Sequence, residues 1–413
     1  MITYQKEVLD NGLTVIVNRD RASKLAAVNM LYCVGARNED PSRTGFAHLF
    51  EHLMFRGTDR FPDFDTVVQM ASGENNAFTN NDYTDFYITL PKDNIEVALE
   101  LEADRMRGLA LTEEVLELEK KVVIEEFKQR YLNQPYGDQN MLLRDMAYKV
   151  HPYRWSTIGL SPDHIQAATM EEVKSFYAAH YRPSNCILSI SADIEPQELF
   201  ALARKWFSHI EDSTSAERKI PREAEQTEAR RCCVERDVPA TTITIAFHIA
   251  GRFSQDYFTA DLISDLLAGG ESGRMNQRLI KELKLFGSVN CYITGDLDPG
   301  MLIFTAQLLP HTTEQQAEEA IWAMIEELKS KPTSDYQMEK VKNKFEAATL
   351  FGEINIMNKA MNLGFYDMAA DLSLINREVD IYRSITPEAI IEFSRRMLRH
   401  ERSSTLIYRK KSE

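Results

Sequence analysis

His48-Leu49-Phe50-Glu51-His52 is the stretch of this sequence that carries the most information about fold and function. On a helix, two histidines four residues apart present their imidazole rings on one face. Two neutral imidazoles are good zinc ligands, and Glu51 stands next to the second of them, where it can take a proton from a metal-bound water. The order is the inverse of the more common H-E-x-x-H, and both occur in zinc proteases. We therefore predict a zinc hydrolase site on a helix within Arg43–Phe55.

The composition favours a globular protein of more than one domain. A chain of 413 residues is too long for one small core, so two domains are expected. Apolar residues make up 44% of the chain and charged residues 27%, which is typical of a folded protein in water. The net charge of −15 argues against a nucleic-acid binder, which needs a basic surface to neutralise phosphates.

The compartment is predicted from the N-terminus and the cysteines. The first residues show no basic start followed by an apolar segment, and no apolar run is long enough to span a bilayer. The five cysteines lack C-x-x-C spacing and are expected to be reduced thiols: Cys33, Cys186, Cys232, Cys233 and Cys291. These features predict a cytoplasmic protein, or a periplasmic one if a leader has been removed.

Local patterns in the first half predict strands followed by helices. Asn11-Gly12 is a strong turn signal between two short strands, which predicts a β-hairpin. Further strands are predicted at Leu25–Val34, Asn76–Leu90 and Cys186–Ala192, and helices at Asp93–Leu109 and Thr112–Tyr131.

The second half partly repeats this order. A polar linker is predicted at residues 214–228, between a catalytic domain at 1–213 and a second, homologous domain at 229–413 without a zinc motif. Predicted elements of the second domain are strands at Thr241–Ile249, Ser288–Thr294 and Met301–Gln307, and helices at Tyr257–Ala268, Arg274–Leu285, Glu314–Leu328 and Asp335–Leu350. Strands and helices grouped in runs predict an α+β fold with helices covering antiparallel-rich sheets.

A third ligand is needed because hydrolytic zinc sites use three protein ligands and keep one position open. His151, the other histidine nearest the motif along the chain, stands in a predicted loop. The acidic helix that begins near Thr112 offers better candidates, since Glu119 and Glu126 are two helical turns apart and can face one site. Spacing alone does not separate Glu125 from Glu126.

Several stretches resemble the family of pitrilysin, insulinase and mitochondrial processing peptidase. They are His48 to Thr58, Glu119 to Glu126, Gly73 to Thr79 and Phe176 to Asn185, spaced along the first half. The resemblance implies a mitochondrial processing peptidase-like fold of two homologous domains. It also implies one zinc ion per chain, held by His48, His52 and Glu126.

The same resemblance implies the remaining roles. Glu51 would be the general base on the zinc-bound water, and Glu119 a carboxylate that orients a histidine or the metal site. Asn76, Ala77, Phe78 and Thr79 would form an edge strand to which an extended peptide adds its backbone. The predicted activity is zinc-dependent cleavage of peptides or unfolded polypeptide segments.

One feature departs from the family pattern. Self-sufficient members have an Arg and a Tyr seven residues apart in the second half, which support the oxyanion. Aligning the helix after Arg274 puts Ile280 and Gly287 there, and neither side chain donates a hydrogen bond. Arg278 and Tyr292 lie nearby but out of register. The zinc-bearing subunit of a heterodimer with an Arg/Tyr-bearing homologous partner is therefore expected in preference to a self-sufficient homodimer.

Two alternative functions stay open at this point. The chain could be a non-catalytic assembly or scaffold subunit, although a structural site has no use for a general base such as Glu51. It could also hydrolyse a non-peptide substrate, because zinc chemistry is not peptide-specific. The glycines of Gly269–Arg274 resemble a phosphate-binding loop but lack the G-K-[ST] ending, so a plain loop before a helix is expected.

Overall fold

A computed structural model describes residues 1–213, 219–369 and 371–411. These residues form two compact units, each made of three separate segments of the chain. Unit 1 comprises residues 1–127, 155–220 and 350–377, and unit 2 comprises residues 128–154, 221–349 and 378–413. The predicted domain bounds at 213 and 229 stay a prediction, and residues 214–218 of the predicted linker lie outside the described part of the chain.

The regular elements are numbered in chain order. The strands are β1 Gln5–Val8, β2 Thr14–Arg19, β3 Leu25–Tyr32, β4 Glu74–Thr79, β5 Thr84–Pro91, β6 Cys186–Ala192, β7 Arg230–Arg236, β8 Thr242–His248, β9 Phe286–Ile293, β10 Met301–Leu308 and β11 Ser403–Lys410. The helices are α1 Phe46–Leu53, α2 Phe64–Met70, α3 Ile95–Arg107, α4 Glu113–Phe127, α5 Gln139–Ala147, α6 Pro162–Gln166, α7 Met170–His180, α8 Pro196–Phe207, α9 Gln255–Ala268, α10 Glu314–Ser330, α11 Asp335–Gly352, α12 Ile356–Met368, α13 Glu378–Ser384 and α14 Pro387–Met397. Lys128–Leu132 and Asn276–Glu282 are π-helical.

Unit 1 is built on a six-stranded sheet in the order β1-β2-β6-β3-β5-β4. Its pairs are antiparallel except for β2 with β6, which run parallel. The Asn11-Gly12 turn joins β1 to β2, with Gly12 at a φ of +88°, where a glycine is favoured. Strand β4 is at the end of the sheet, so among the described strands only β5 pairs with it.

Helices cover both faces of this sheet. Phe86 faces α3, where the Arg105 guanidinium lies 4.4 Å from the centre of its ring. Neighbouring residues of a strand point to opposite faces, so Asn29 and its partner Ser189 point the other way from Phe86 and its partner Met30. Helix α12 lies against that second face, and comes from the last part of the chain.

Unit 2 is built on a five-stranded sheet in the order β7-β11-β8-β10-β9. Ile245 and Phe247 of β8 pack with α9, α10 and α14 in the main apolar core of the unit. Ala246 points to the opposite face, where α5 supplies Leu143 and Ala147. Helices therefore cover both faces of this sheet as well.

The predicted α+β fold with two helix-covered, antiparallel-rich sheets is confirmed. The loop that contains Gly269 and Gly270 is a turn between α9 and a π-helical segment, as expected. None of the helices that the structure describes is both long and apolar enough to cross a membrane.

Candidate metal centre

Helix α1 carries the His/Glu motif and is fixed at its start by a buried carboxylate. Glu39 accepts hydrogen bonds from the backbone N–H groups of Gly45 and Ala47, each at 2.9 Å, and from the indole of Trp155 at 3.1 Å. These bonds satisfy N–H groups that a helix start leaves without partners. Gly45 has a φ of +93°, and a Cβ there would lie 2.7 Å from the backbone oxygen of Ile158. The start of α1 therefore requires a glycine.

The apolar side of α1 packs into unit 1. Leu49, Phe50 and Leu53 are fully buried, and Phe50 stacks on Tyr181 with ring centres 5.1 Å apart. This packing sets the rotation of the helix, so that His48 and His52 both face α4.

The structure brings His48, His52 and Glu126 together, with one ligand atom from each lying within 4.8 Å of the others. Glu126 Oε2 lies 3.6 Å from His48 Nε2 and 3.4 Å from His52 Nε2. Ligands at about 2.1 Å from a tetrahedral zinc are roughly 3.4 Å apart, so these separations suit zinc. Two imidazoles and one carboxylate are also the donor set of several catalytic zinc sites. The residues therefore fit the predicted ion.

The side chains of the acidic helix separate the two glutamates that spacing alone could not. Glu126 is half-buried and belongs to the cluster, whereas Glu125 is exposed and does not. Adjacent residues on a helix point about 100° apart, so only one of them can face α1.

Glu119 lies on the far side of His52 and is 1% exposed. Its Oε2 atom is 3.3 Å from His52 Nδ1, and its Oε1 atom accepts a hydrogen bond from Arg56 Nε at 2.5 Å. Burial alone would raise the pKa of Glu119, but the hydrogen bond to His52 and the charge of Arg56 outweigh burial and lower it. Glu119 therefore remains a carboxylate, and it contacts the Nδ1 side of the His52 ring, opposite Glu126.

The electrostatics of the cluster favour a positive charge. Burial of the His52 ring lowers its pKa, but hydrogen bonds to Glu119 and Glu126 outweigh burial and raise the pKa to about 9. The two carboxylates thus stabilise a cation between them, and a metal ion at His52 must displace a proton.

Glu51 points to the other partner of α1, the edge strand β4. Burial raises the pKa of Glu51, while hydrogen bonds from the hydroxyl and the backbone N–H of Thr79 act in the opposite direction. A pocket of about 290 Å³ lies beside the cluster, and Asp65 forms part of its wall together with Glu51, His52, Phe55, Arg56 and Glu119.

The predicted substrate strand forms the outer edge of the unit 1 sheet. Asn76 is exposed, Ala77 is buried, and Phe78 and Thr79 are half-buried, all within β4. Phe78 packs edge-on against Tyr83, with ring centres 5.6 Å apart. The structure therefore brings Thr79 to Glu51, while Asn76 to Phe78 continue along the edge.

Sequence reasoning did not assign roles to Arg56 and Glu39. Arg56 stands only four residues after His52, inside the stretch that resembles the peptidase family, and this position is the signal that could have identified it. Glu39 gave no such signal, because its contacts with the start of α1 depend on a folded loop.

The positions that the sequence analysis aligned with the Arg/Tyr pair of the family lie in unit 2. Ile280 packs against the core of unit 2, and Gly287 is exposed on β9. Arg278 is engaged by Glu282, with Nη1 and Oε2 2.5 Å apart. Tyr292 is 41% exposed on β9.

Two family models match the chain. The one described as "Insulinase (Peptidase family M16)" matches residues 14–159, which contain the whole cluster. The one described as "Peptidase M16 inactive domain" matches residues 167–345.

Individual proteins of known sequence or structure are similar to this chain and are named as proteases or peptidases. "Zinc protease PqqE" of Helicobacter pylori is 30% identical over 347 residues, which cover 82% of this chain and 78% of that relative. "Probable mitochondrial-processing peptidase subunit beta" of Schizosaccharomyces pombe is 26% identical over 310 residues, which cover 71% of this chain and 66% of that relative. The crystal structure of a protease from Helicobacter pylori has a TM-score of 0.93 at 26% identity and full coverage of both chains.

Proposed function

Because the chain belongs to the M16 (insulinase) family of peptidases, we propose that it is a zinc-dependent endopeptidase that hydrolyses peptides or unfolded polypeptide segments. The observation that carries this proposal is the convergence of His48, His52 and Glu126. Glu51 lies between the two histidines on the same helix, and it contacts Thr79 of β4, the edge strand of the sheet among the described residues. A metal-type cluster, a base and a peptide-binding edge are the parts that peptide hydrolysis needs.

The roles of the residues follow from their contacts. Zinc, held by His48, His52 and Glu126, would supply a Lewis acid that polarises the peptide carbonyl and acidifies water. Glu51 would accept a proton at its carboxylate and return it to the leaving amine, since its pKa is already raised by burial. Glu119 would hold Nδ1 of His52 and so fix the direction in which Nε2 points.

Strand β4 would align the substrate. An extended peptide that pairs with the open edge of β4 forms main-chain hydrogen bonds along Asn76 to Thr79. Because these bonds do not depend on substrate side chains, a wide range of sequences would be accepted. The contact between Thr79 and Glu51 would keep the base at the end of the bound strand.

The proposed enzyme works with a second chain. Ile280 and Gly287 stand where the family resemblance places the Arg and Tyr that support the oxyanion. A homologous partner subunit that carries this pair would complete the site, and one relative is itself named as a subunit of a processing peptidase. A homodimer is the alternative arrangement. The cytoplasmic location, or a periplasmic one if a leader has been removed, stays a prediction from the N-terminus and the cysteines.

Cleavage of a quenched fluorescent peptide library tests this proposal. The zinc-loaded chain would be assayed alone, with a co-encoded homologous chain, and with a chelator. We expect cleavage that depends on zinc and rises at least 100-fold with the partner, because losing one oxyanion donor costs about 100- to 1,000-fold in rate. Strong activity from the isolated chain would contradict the heterodimer hypothesis. No activity in any combination would favour the alternative that the chain is a non-catalytic subunit.

A further inference from the structure

Arg56 contacts Glu119 on the oxygen that does not face His52. It ends the 3₁₀ turn Met54–Arg56, which continues α1 without a break. Arg56 Nε donates a hydrogen bond of 2.5 Å to Glu119 Oε1, and its Nη2 contacts the same oxygen. The other oxygen of Glu119 faces His52 Nδ1 at 3.3 Å. Arg56, Glu119 and His52 therefore form a continuous chain that ends at a proposed zinc ligand.

The physical chemistry of Glu119 explains why it needs this partner. A carboxylate that is 1% exposed has lost its hydration, which is unfavourable unless charge and hydrogen bonds replace the water. An ionised Glu119 can accept a hydrogen bond from the Nδ1–H group of His52, and this contact leaves Nε2 as the nitrogen that would bind zinc beside Glu126. Without Arg56, the Oε1 atom of Glu119 would lose its two nitrogen contacts, so Glu119 could rotate away from Nδ1 and His52 would lose its orientation.

We propose that Arg56 is a positioning residue for zinc binding, which acts on His52 through Glu119. This inference rests on the proposed zinc site and adds a residue to it. The planar guanidinium presents two nitrogens to one oxygen of Glu119 and leaves the other oxygen for the histidine. A lysine would bring the same charge but a single nitrogen, so it would restore only part of the effect.

The competing role for Arg56 is direct contact with substrate. Its side chain is 43% exposed and forms part of the wall of the 290 Å³ pocket beside Glu51. A substrate contact would change KM without changing the affinity of the free protein for zinc. A positioning role requires the opposite result, because the chain of contacts exists before any peptide binds.

The test measures the zinc dissociation constant by competition with a chelator, in wild type, Arg56→Met and Arg56→Lys. The matched control is Arg60→Met, because Arg60 is 52% exposed and pairs with Glu100 on α3, away from the cluster. We expect Arg56→Met to raise the zinc Kd about 10- to 100-fold, the usual cost of removing a partner behind a metal ligand. Arg56→Lys should fall between wild type and Arg56→Met, and Arg60→Met should stay within about 2-fold of wild type.

A double-mutant cycle with Glu119→Gln shows whether Arg56 acts through Glu119. The effect of Arg56→Met on zinc Kd should shrink to less than about 2-fold in the Glu119→Gln background. Melting curves confirm that each variant is folded. An unchanged zinc Kd in Arg56→Met, a change in KM alone, or full additivity with Glu119→Gln would overturn the positioning role.

These results separate this inference from the proposed function. If the wild-type chain binds zinc through His48 but cleaves no peptide, the proposed peptidase function is wrong. The zinc Kd values of the Arg56 variants still test the positioning role in that case. A wild-type chain whose zinc affinity equals that of His48→Ala contradicts both.

Discussion

The Nε2 atom of His52 lies 3.4 Å from the Oε2 atom of Glu126, although one residue belongs to α1 and the other to α4. The two helices contact each other, and each has buried apolar residues, among them Leu49 on α1 and Val123 on α4. His48 Nε2 lies 3.6 Å from the same oxygen, so one carboxylate oxygen is shared by both imidazoles. A single cation between these three atoms would satisfy all of them.

Substituting the acidic residue that faces α1 should abolish metal binding, whereas substituting its neighbour should not. Glu126→Gln removes the charge and one ligand, and we expect zinc affinity to fall at least 100-fold, roughly 3 kcal/mol at about 1.4 kcal/mol per tenfold. Glu125→Gln is the matched control, because Glu125 is exposed on the same helical turn. Titration of the metal-free chains with zinc measures both. Equal losses in the two variants would show that α4 is not a source of ligands.

Methylation of the peptide backbone should reveal strand pairing with β4. In an antiparallel pair, alternate N–H groups of the added strand point to its partner, so N-methylation at alternate residues should raise KM. Methylation at the intervening residues should have little effect. A scan of one good substrate, methylated at one position at a time, gives the pattern. Uniform losses, or losses that follow side-chain type, would argue against pairing along Asn76 to Thr79.

Replacing the glycine at the start of α1 should destabilise unit 1 and weaken zinc binding together. In Gly45→Ala, a Cβ at a φ of +93° would lie 2.7 Å from the backbone oxygen of Ile158, so the start of α1 has to move. We expect a loss of about 1–3 kcal/mol in the free energy of unfolding. Gly108→Ala is the control, since a Cβ there meets nothing within 4 Å. Denaturant melts measure stability, and equal melts for the two variants would contradict the prediction.

A half-buried histidine in unit 2, His248, should make stability fall in acid. Burial lowers the pKa of His248 to about 4, with Arg230 and Arg402 acting in the same direction and Glu223 against it. Its ring stacks on Tyr148, with centres 4.9 Å apart. In the unfolded chain this histidine binds a proton below about pH 6.5, whereas in the folded chain it binds one only near pH 4. Between these two values protonation favours the unfolded chain, so the free energy of unfolding decreases as the pH falls.

The measurement is the melting temperature of wild type and His248→Gln between pH 7 and pH 4. Wild type should lose more stability across the window than the variant, which has no proton to take up at this position. His311→Gln serves as the control, because His311 is exposed on the same unit. Parallel pH profiles for wild type and His248→Gln would remove the histidine as the cause.

What the sequence could predict was mainly local. The Asn11-Gly12 hairpin follows from turn chemistry, and the helix of His48 and His52 follows from spacing, so both were correct. The α+β class was also correct, because strands and helices are grouped in runs.

Long-range arrangements were beyond the sequence. Strand β6 inserts between β2 and β3, which are neighbours along the chain, and α12 joins unit 1 from the last part of the chain. Neither arrangement leaves a local pattern. At the site, Glu126 could be separated from Glu125 only by resemblance, because which of two adjacent residues faces α1 depends on how α4 packs. The contacts of Arg56 and Glu39 required the folded loops around α1.

Replacement of the proposed base tests the central claim most directly. Glu51→Gln keeps the size of the side chain and leaves His48, His52 and Glu126 in place, so zinc content should equal that of wild type. The rate of peptide cleavage, measured with zinc bound and with the partner chain that gives wild type its highest activity, should fall about 100- to 10,000-fold, the usual contribution of a general base. Cleavage by Glu51→Gln at the wild-type rate, with zinc bound, would contradict the account.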